Sequence, residues 1–140
     1  MPNIDITLPQ TTREVRARLA ERLTDEFART TGFEREILGI SFREYSPGTA
    51  AEGGKLIEDV SSGGPVHVQI SCPRVTRAKK RAAVEALTAV FKEVAGWPSP
   101  PVFHISEHPY DNVGVGGRLL SDAFPELKEI PFYFPTDDPA

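Results

Sequence analysis

The sequence predicts an α/β fold in which tandem β-α-β units form a four-stranded sheet with two helices on one face, followed by an extended C-terminal tail. Each half of the chain runs through the same order, with alternating apolar residues, then apolar residues every third or fourth position, then alternation again. Identities recur with it. Pro9, Arg13, Leu23, Thr24, Phe27 and Gly32 reappear 64 positions later as Pro73, Arg77, Leu87, Thr88, Phe91 and Gly96. Glu44, Gly53 and Gly54 reappear 63 positions later as Glu107, Gly116 and Gly117, and Pro2 reappears as Pro65 at that same spacing. A repeat of this length reports a supersecondary unit used twice. The 140 residues are therefore read as one domain, 1–140, built from repeats 2–64 and 65–118 with a tail 119–140.

In the first repeat, Ile4, Ile6 and Leu8 alternate with polar residues, so Pro2–Leu8 is a half-buried strand. Pro9 and the pair Thr11-Thr12 punctuate it and offer a helix cap. Val15, Leu19, Leu23 and Phe27 mark one face of an amphipathic helix from Arg13 to Thr30, and Gly32 closes it. Ile37–Tyr45 is the second strand, with a turn at Pro47-Gly48. In the second repeat Val66–Ser71 is a strand and Val75–Ala95 a helix with Val84, Leu87 and Phe91 on one side. Gly96 stops that helix, and Val102–Glu107 is the returning strand. Parallel strands joined by a helix take a right-handed crossover, which puts both helices on one face. The other face is left to be covered by further copies of the chain. In the tail, Ile130-Pro131-Phe132-Tyr133-Phe134-Pro135 is apolar and extended, and its prolines exclude a central strand. Docking on the chain's own helices or on a neighbouring subunit is expected.

Composition narrows the function. An apolar share of 39% and a charged share of 26% fit a soluble globular domain. The net charge of −4 argues against general binding to nucleic acid or an anionic membrane, which needs a basic surface. Cys72 is the one cysteine, so no intrachain disulfide can form. With neither a signal segment nor an apolar run of membrane-spanning length, a cytoplasmic location is expected. His67, His104 and His108 lack metal-ligand spacing, and Gly53-Gly54-Lys55 lacks the hydroxyl residue and preceding strand of a phosphate loop. Neither a metal nor a cofactor is implied.

Pro2 follows the initiator directly. Removal of Met1 would leave a secondary amine at the head of the first strand. An α-amino group titrates at roughly 7.7–8.0 when unperturbed, and burial or nearby cations lower it further by disfavouring the protonated form. Arg74 and Arg77 are spaced to share one helical face at the junction of strand and helix. A guanidinium fork there can grip a carboxylate, helped by the helix N-terminus. Lys79, Lys80 and Arg81 follow immediately, and a solvated basic patch is the other reading of this run. His104 shares a strand face with Val102 and Ser106, opposite Phe103 and Ile105. It can hydrogen-bond a substrate oxygen or sit in a subunit interface. Glu107 and Asp111 read as residues that satisfy local turns.

In combination, Pro2 after the initiator, the doubled β-α-β unit, Ile70-Ser71-Cys72-Pro73-Arg74 and Asn112-Val113-Gly114-Val115-Gly116-Gly117 resemble the tautomerase superfamily. That family includes oxalocrotonate tautomerase, malonate semialdehyde decarboxylase, the chloroacrylic acid dehalogenases and macrophage migration inhibitory factor. The resemblance covers about residues 2–118. It implies a homotrimer with Pro2 at the mouth of a small pocket, no metal or cofactor, and a small carboxylate substrate. The function it implies is that of a tautomerase or isomerase of a 2-oxo or 2-hydroxy unsaturated acid, with Pro2 as acid and base and Arg74, Arg77 and His104 binding substrate. Hydration, dehalogenation or decarboxylation of a three-carbon acid on the same scaffold is the alternative. Departures weigh against it. Phe27 stands where the dehalogenases have a histidine and Val115 where they have a glutamate. The decarboxylase aspartate falls near Ile37, beside Glu36, and Cys72 replaces the first pocket arginine. A non-catalytic ferredoxin-like module that binds RNA is a further alternative, but the central strands carry no aromatic residues for stacking bases.

Overall fold

The computed structural model describes residues 2–125. Met1, residues 126–140, and with them the expected docking of Ile130–Pro135, lie outside the described residues. Four long strands form the main sheet: β1 (Asn3–Pro9), β2 (Gly39–Tyr45), β5 (His67–Pro73) and β6 (Val102–His108), in the order β2-β1-β5-β6. β1 pairs parallel with β2 and β5 parallel with β6, as in two β-α-β units. β1 and β5 join the units by antiparallel pairing in the register Asn3↔Ser71 to Thr7↔His67.

The connecting helices α1 (Arg13–Thr31) and α2 (Arg77–Ala95) pack against each other and against one sheet face. Each begins at a threonine, Thr12 or Thr76, whose hydroxyl accepts a backbone N–H three residues on. Such caps satisfy one of the orphan donors of the first turn. α2 starts two residues later than the periodicity indicated, because Thr76 takes the cap position.

The core repeats pair by pair at the 64-residue spacing. Ile4, Ile6, Leu8, Leu19, Leu23 and Phe27 are buried in the first unit, and Val68, Ile70, Cys72, Ala83, Leu87 and Phe91 take the same places in the second. Strand alternation sends the remaining residues to the open face. Asn3, Asp5 and Thr7 on β1, Ser41 and Arg43 on β2, Gln69 and Ser71 on β5, and His104 and Ser106 on β6 make that face almost wholly polar. Ser41 Oγ and Asn3 Nδ2 both donate to Asp5 Oδ1, and Gln69 Nε2 donates to Ser106 Oγ at 2.8 Å.

Each repeat ends in a small hairpin: β3 (Ala51–Glu52) with β4 (Lys55–Leu56), and β7 (Gly114–Val115) with β8 (Arg118–Leu119). Gly53-Gly54 and Gly116-Gly117 form the turns, with φ of 58° and 79° in the first and 63° and 81° in the second. Positive φ at both central residues is the hairpin geometry that favours glycine. The expected tail therefore begins too early at 119. Leu119 pairs with Gly114, and Leu120–Ala123 form a short helical turn, α3. No helix among the described residues is long and apolar enough to cross a membrane.

Leu87, fully buried where α2 meets the sheet, sets the expected cost of opening this core. Leu87→Ala should destabilise the fold by about 2–5 kcal/mol, whereas Thr12→Ala, which removes only a cap, should cost about 1 kcal/mol. Urea unfolding of the two variants checks the contrast.

Candidate active site

One end of the sheet gathers the residues of interest, because β1 starts there while β5 and β6 finish there. Asn3 lies opposite Ser71 and Cys72 opposite Glu107. One further step along the antiparallel register sets Pro2 beside Cys72. Pro2 is buried, and its carbonyl accepts the Gly39 N–H at 3.1 Å. Its residue type sits well there, since a proline can open a strand without forfeiting a ladder donor. Pro73 ends β5, and partly buried Arg74 follows on the way into α2. Arg74 thus follows two residues after Cys72, the register position beside Pro2. Arg77 is the first residue of α2 and is exposed.

Behind this pair lies a carboxylate. Glu107 Oε1 is 2.6 Å from Lys80 Nζ, and Glu107 Oε2 accepts the Val75 N–H at 2.7 Å. The Glu107 side chain is only 5% exposed. The local turn role expected for Glu107 does not hold: it is tied across to the entrance of α2, while Asp111 is exposed. Its recurrence from Glu44 was the available signal. Glu44 makes the same two contacts in its own repeat, accepting from the Thr11 N–H and from Arg16.

Within one chain His104 is not brought to Pro2. It pairs with Gln69, whose other neighbour is Asp5. That places it two strands across from β1 and three residues along, roughly 10 Å in each direction. It is exposed on the open polar face together with Ser106. Phe27 is a core residue stacked with Phe33 at a centroid distance of 6.1 Å, and Val115 is 44% exposed on β7. Among the described residues, no three His, Cys, Asp or Glu side chains converge as metal ligands would.

Two β-α-β units joined by the antiparallel pairing of β1 with β5 give a four-stranded sheet with both helices on one face. The comparisons agree. Residues 66–123 match the family model described as Tautomerase enzyme. Native fused 4-OT superposes with a TM-score of 0.78 at 21% identity, over 86% of this chain and 97% of that one. Malonate semialdehyde decarboxylase gives 0.69 at 14% identity, over 88% and 97%. The macrophage migration inhibitory factor-like protein of Entamoeba histolytica gives 0.68 at 15% identity, over 84% and 97%. No curated protein matches the chain. The chain has the tautomerase fold, its second repeat carries that family's sequence pattern, and the resemblance drawn from the sequence holds.

Cys72 occupies the core slot that Leu8 fills in the first repeat. Burial, and secondarily the neighbouring Glu107 carboxylate, push its thiol up to about 12. A thiol so placed is protonated at neutral pH and is a poor nucleophile. In the native protein at pH 8 Cys72 should resist Ellman's reagent and then react with one equivalent on unfolding in guanidinium. Rapid native labelling would mean that this sheet end is open.

Proposed function

We propose that this protein is a cofactor-independent tautomerase that moves a proton on a small 2-oxo or 2-hydroxy unsaturated carboxylic acid. Pro2, released as the N-terminus by removal of Met1, is the base that takes the proton from one position and the acid that returns it at another. The observation that carries this reading is the place of Pro2, just before β1 and beside Cys72 near the end of β5, two residues ahead of Arg74. Arg74 binds the substrate carboxylate and stabilises the charge that develops on the enolate oxygen, with Arg77 assisting from the start of α2. Preorganised charge of this kind contributes heavily to catalysis because it needs no rearrangement during the reaction.

The proton-transfer reading is favoured over hydration or decarboxylation by the residues at the positions where the resemblance would put a water-activating group. Phe27 and Val115 supply no acid–base group for water, and the Cys72 thiol is protonated. Within one chain His104 lies away from Pro2, and its position on the open sheet face suits the interface of an assembly. A homotrimer is the assembly proposed. It would cover the open polar sheet face, and solved wild-type fused 4-OT structures are described as trimers.

Intact mass of the purified protein should show Met1 removed. Keto–enol exchange of phenylpyruvate should fall about 10²–10⁴-fold in Pro2→Ala, and a preparation that retains Met1 should be equally poor, since its Pro2 nitrogen is an amide. Because the base must be neutral, kcat/KM should rise with pH through the titration of the amine. Full exchange by Pro2→Ala, or by protein that still carries Met1, rules this mechanism out.

A further inference from the structure

We propose that Glu107 is a positioning residue that holds Arg74 in place to receive an anion, with Lys80 as its charge partner. The inference rests on the reading of Arg74 as the residue that binds the substrate carboxylate. Val75 N, which Glu107 holds at 2.7 Å, belongs to the peptide group that follows Arg74. A peptide group is planar, so fixing that nitrogen fixes the carbonyl end of the arginine backbone. Through its other oxygen Glu107 holds Lys80, whose own N–H is bonded to the Thr76 carbonyl in the first turn of α2. One carboxylate therefore couples the end of β6, the loop bearing Arg74 and the start of α2.

A carboxylate near a site for anions would repel them if it stood alone. Lys80 at 2.6 Å and the Val75 N–H offset its charge. The clamp supplies geometry without opposing the ligand.

The first repeat contains the control. Glu44 accepts the Thr11 N–H at 2.6 Å and Arg16 Nη1 at 2.7 Å, and Thr11 and Arg16 lie 64 positions before Val75 and Lys80. The residue held there is Gln10 in place of Arg74. That clamp is also wetter, with Arg16 and Glu44 side chains 30% and 27% exposed against 22% and 5% for Lys80 and Glu107. The two clamps share their architecture, and only the drier one has an arginine as the residue it holds, two positions after Cys72.

The test compares two double variants that remove a clamp without changing net charge, Glu107→Met with Lys80→Met and Glu44→Met with Arg16→Met. Binding of phenylpyruvate is followed by ¹⁵N NMR, which reads affinity whether or not turnover occurs, and kcat and KM are measured alongside. The first variant should bind phenylpyruvate about 10- to 100-fold more weakly, the range expected when an anchoring group is displaced by about an ångström. Its KM should rise more than its kcat falls, and the second variant should stay within about twofold of wild type on the same anchoring argument. Equal effects in both variants, or none in the first, overturn the proposal. Should the first variant fail to fold, the near-isosteric Glu107→Gln alone decides. Faster hydrogen exchange at the Val75 amide with weaker binding supports the clamp, and unchanged binding overturns it. Wild-type protein that binds phenylpyruvate at Arg74 and Val75 without exchanging it would remove the tautomerase reading and leave the clamp standing; no binding at these residues removes the clamp.

Discussion

The antiparallel pairing of β1 with β5 is the constraint on which the rest of the molecule depends. It joins two β-α-β units into one sheet, and it alone lays the first residues of the chain along the last residues of β5. Its register is fixed by residues with no chemical role. Ile4 and Ile6 must face the helices together with their partners Ile70 and Val68. A slip of one residue would turn this set into water and bury Asn3 and Asp5 in its place. Hydrophobic burial thus decides how far Pro2 stands from Arg74, and the chemistry takes up a position that the core has already set.

The two repeats match beyond their outlines, down to single hydrogen bonds. Thr12 and Thr76 cap the helices, and Glu44 and Glu107 clamp the loops before them. The change of spacing from 64 to 63 has one source. Gly32 is followed by residues 33–38 before β2, and Gly96 by residues 97–101 before β6, so the second connection is one residue shorter. Strands β1 and β5 therefore correspond at 64. The structural counterpart of Pro2 is then Val66, whose carbonyl accepts from Val102 N just as that of Pro2 accepts from Gly39 N. The identity of Pro2 with Pro65 is one residue out of register.

Periodicity made the long strands, both helices and the buried face of α1 legible, since burial on one side leaves a direct trace in the pattern; on α2 Ala83 and Val90, not Val84, join Leu87 and Phe91 in the core. The prolines misled because matching letters carry no information about which carbonyl a strand presents. The small hairpins were too short for periodicity, although Gly-Gly turns at matching places marked them. Glu107 escaped because its partners, Val75 and Lys80, are distant in sequence and one of them is a backbone group. His104 was placed on the correct face by alternation, but alternation says nothing about distance along or across a sheet.

Both halves of the chain are needed to build the proposed site. The amine comes from the start of β1, in the first repeat, and the arginines from the entrance to α2, in the second. The reciprocal end of the sheet offers Val66, an interior residue with an amide nitrogen, and Gln10 where Arg74 would be, although Arg13 still answers Arg77. A single chain has one N-terminus, so if its amine is the base, as proposed, one sheet end lacks a base whatever its side chains are. Nothing then requires an arginine at that end, whereas the end proposed to hold the amine would gain from keeping both the guanidinium and the drier carboxylate proposed to position it. The asymmetry between Gln10 and Arg74, and between the 27% and 5% exposure of Glu44 and Glu107, is what a duplicated scaffold with one working end should show.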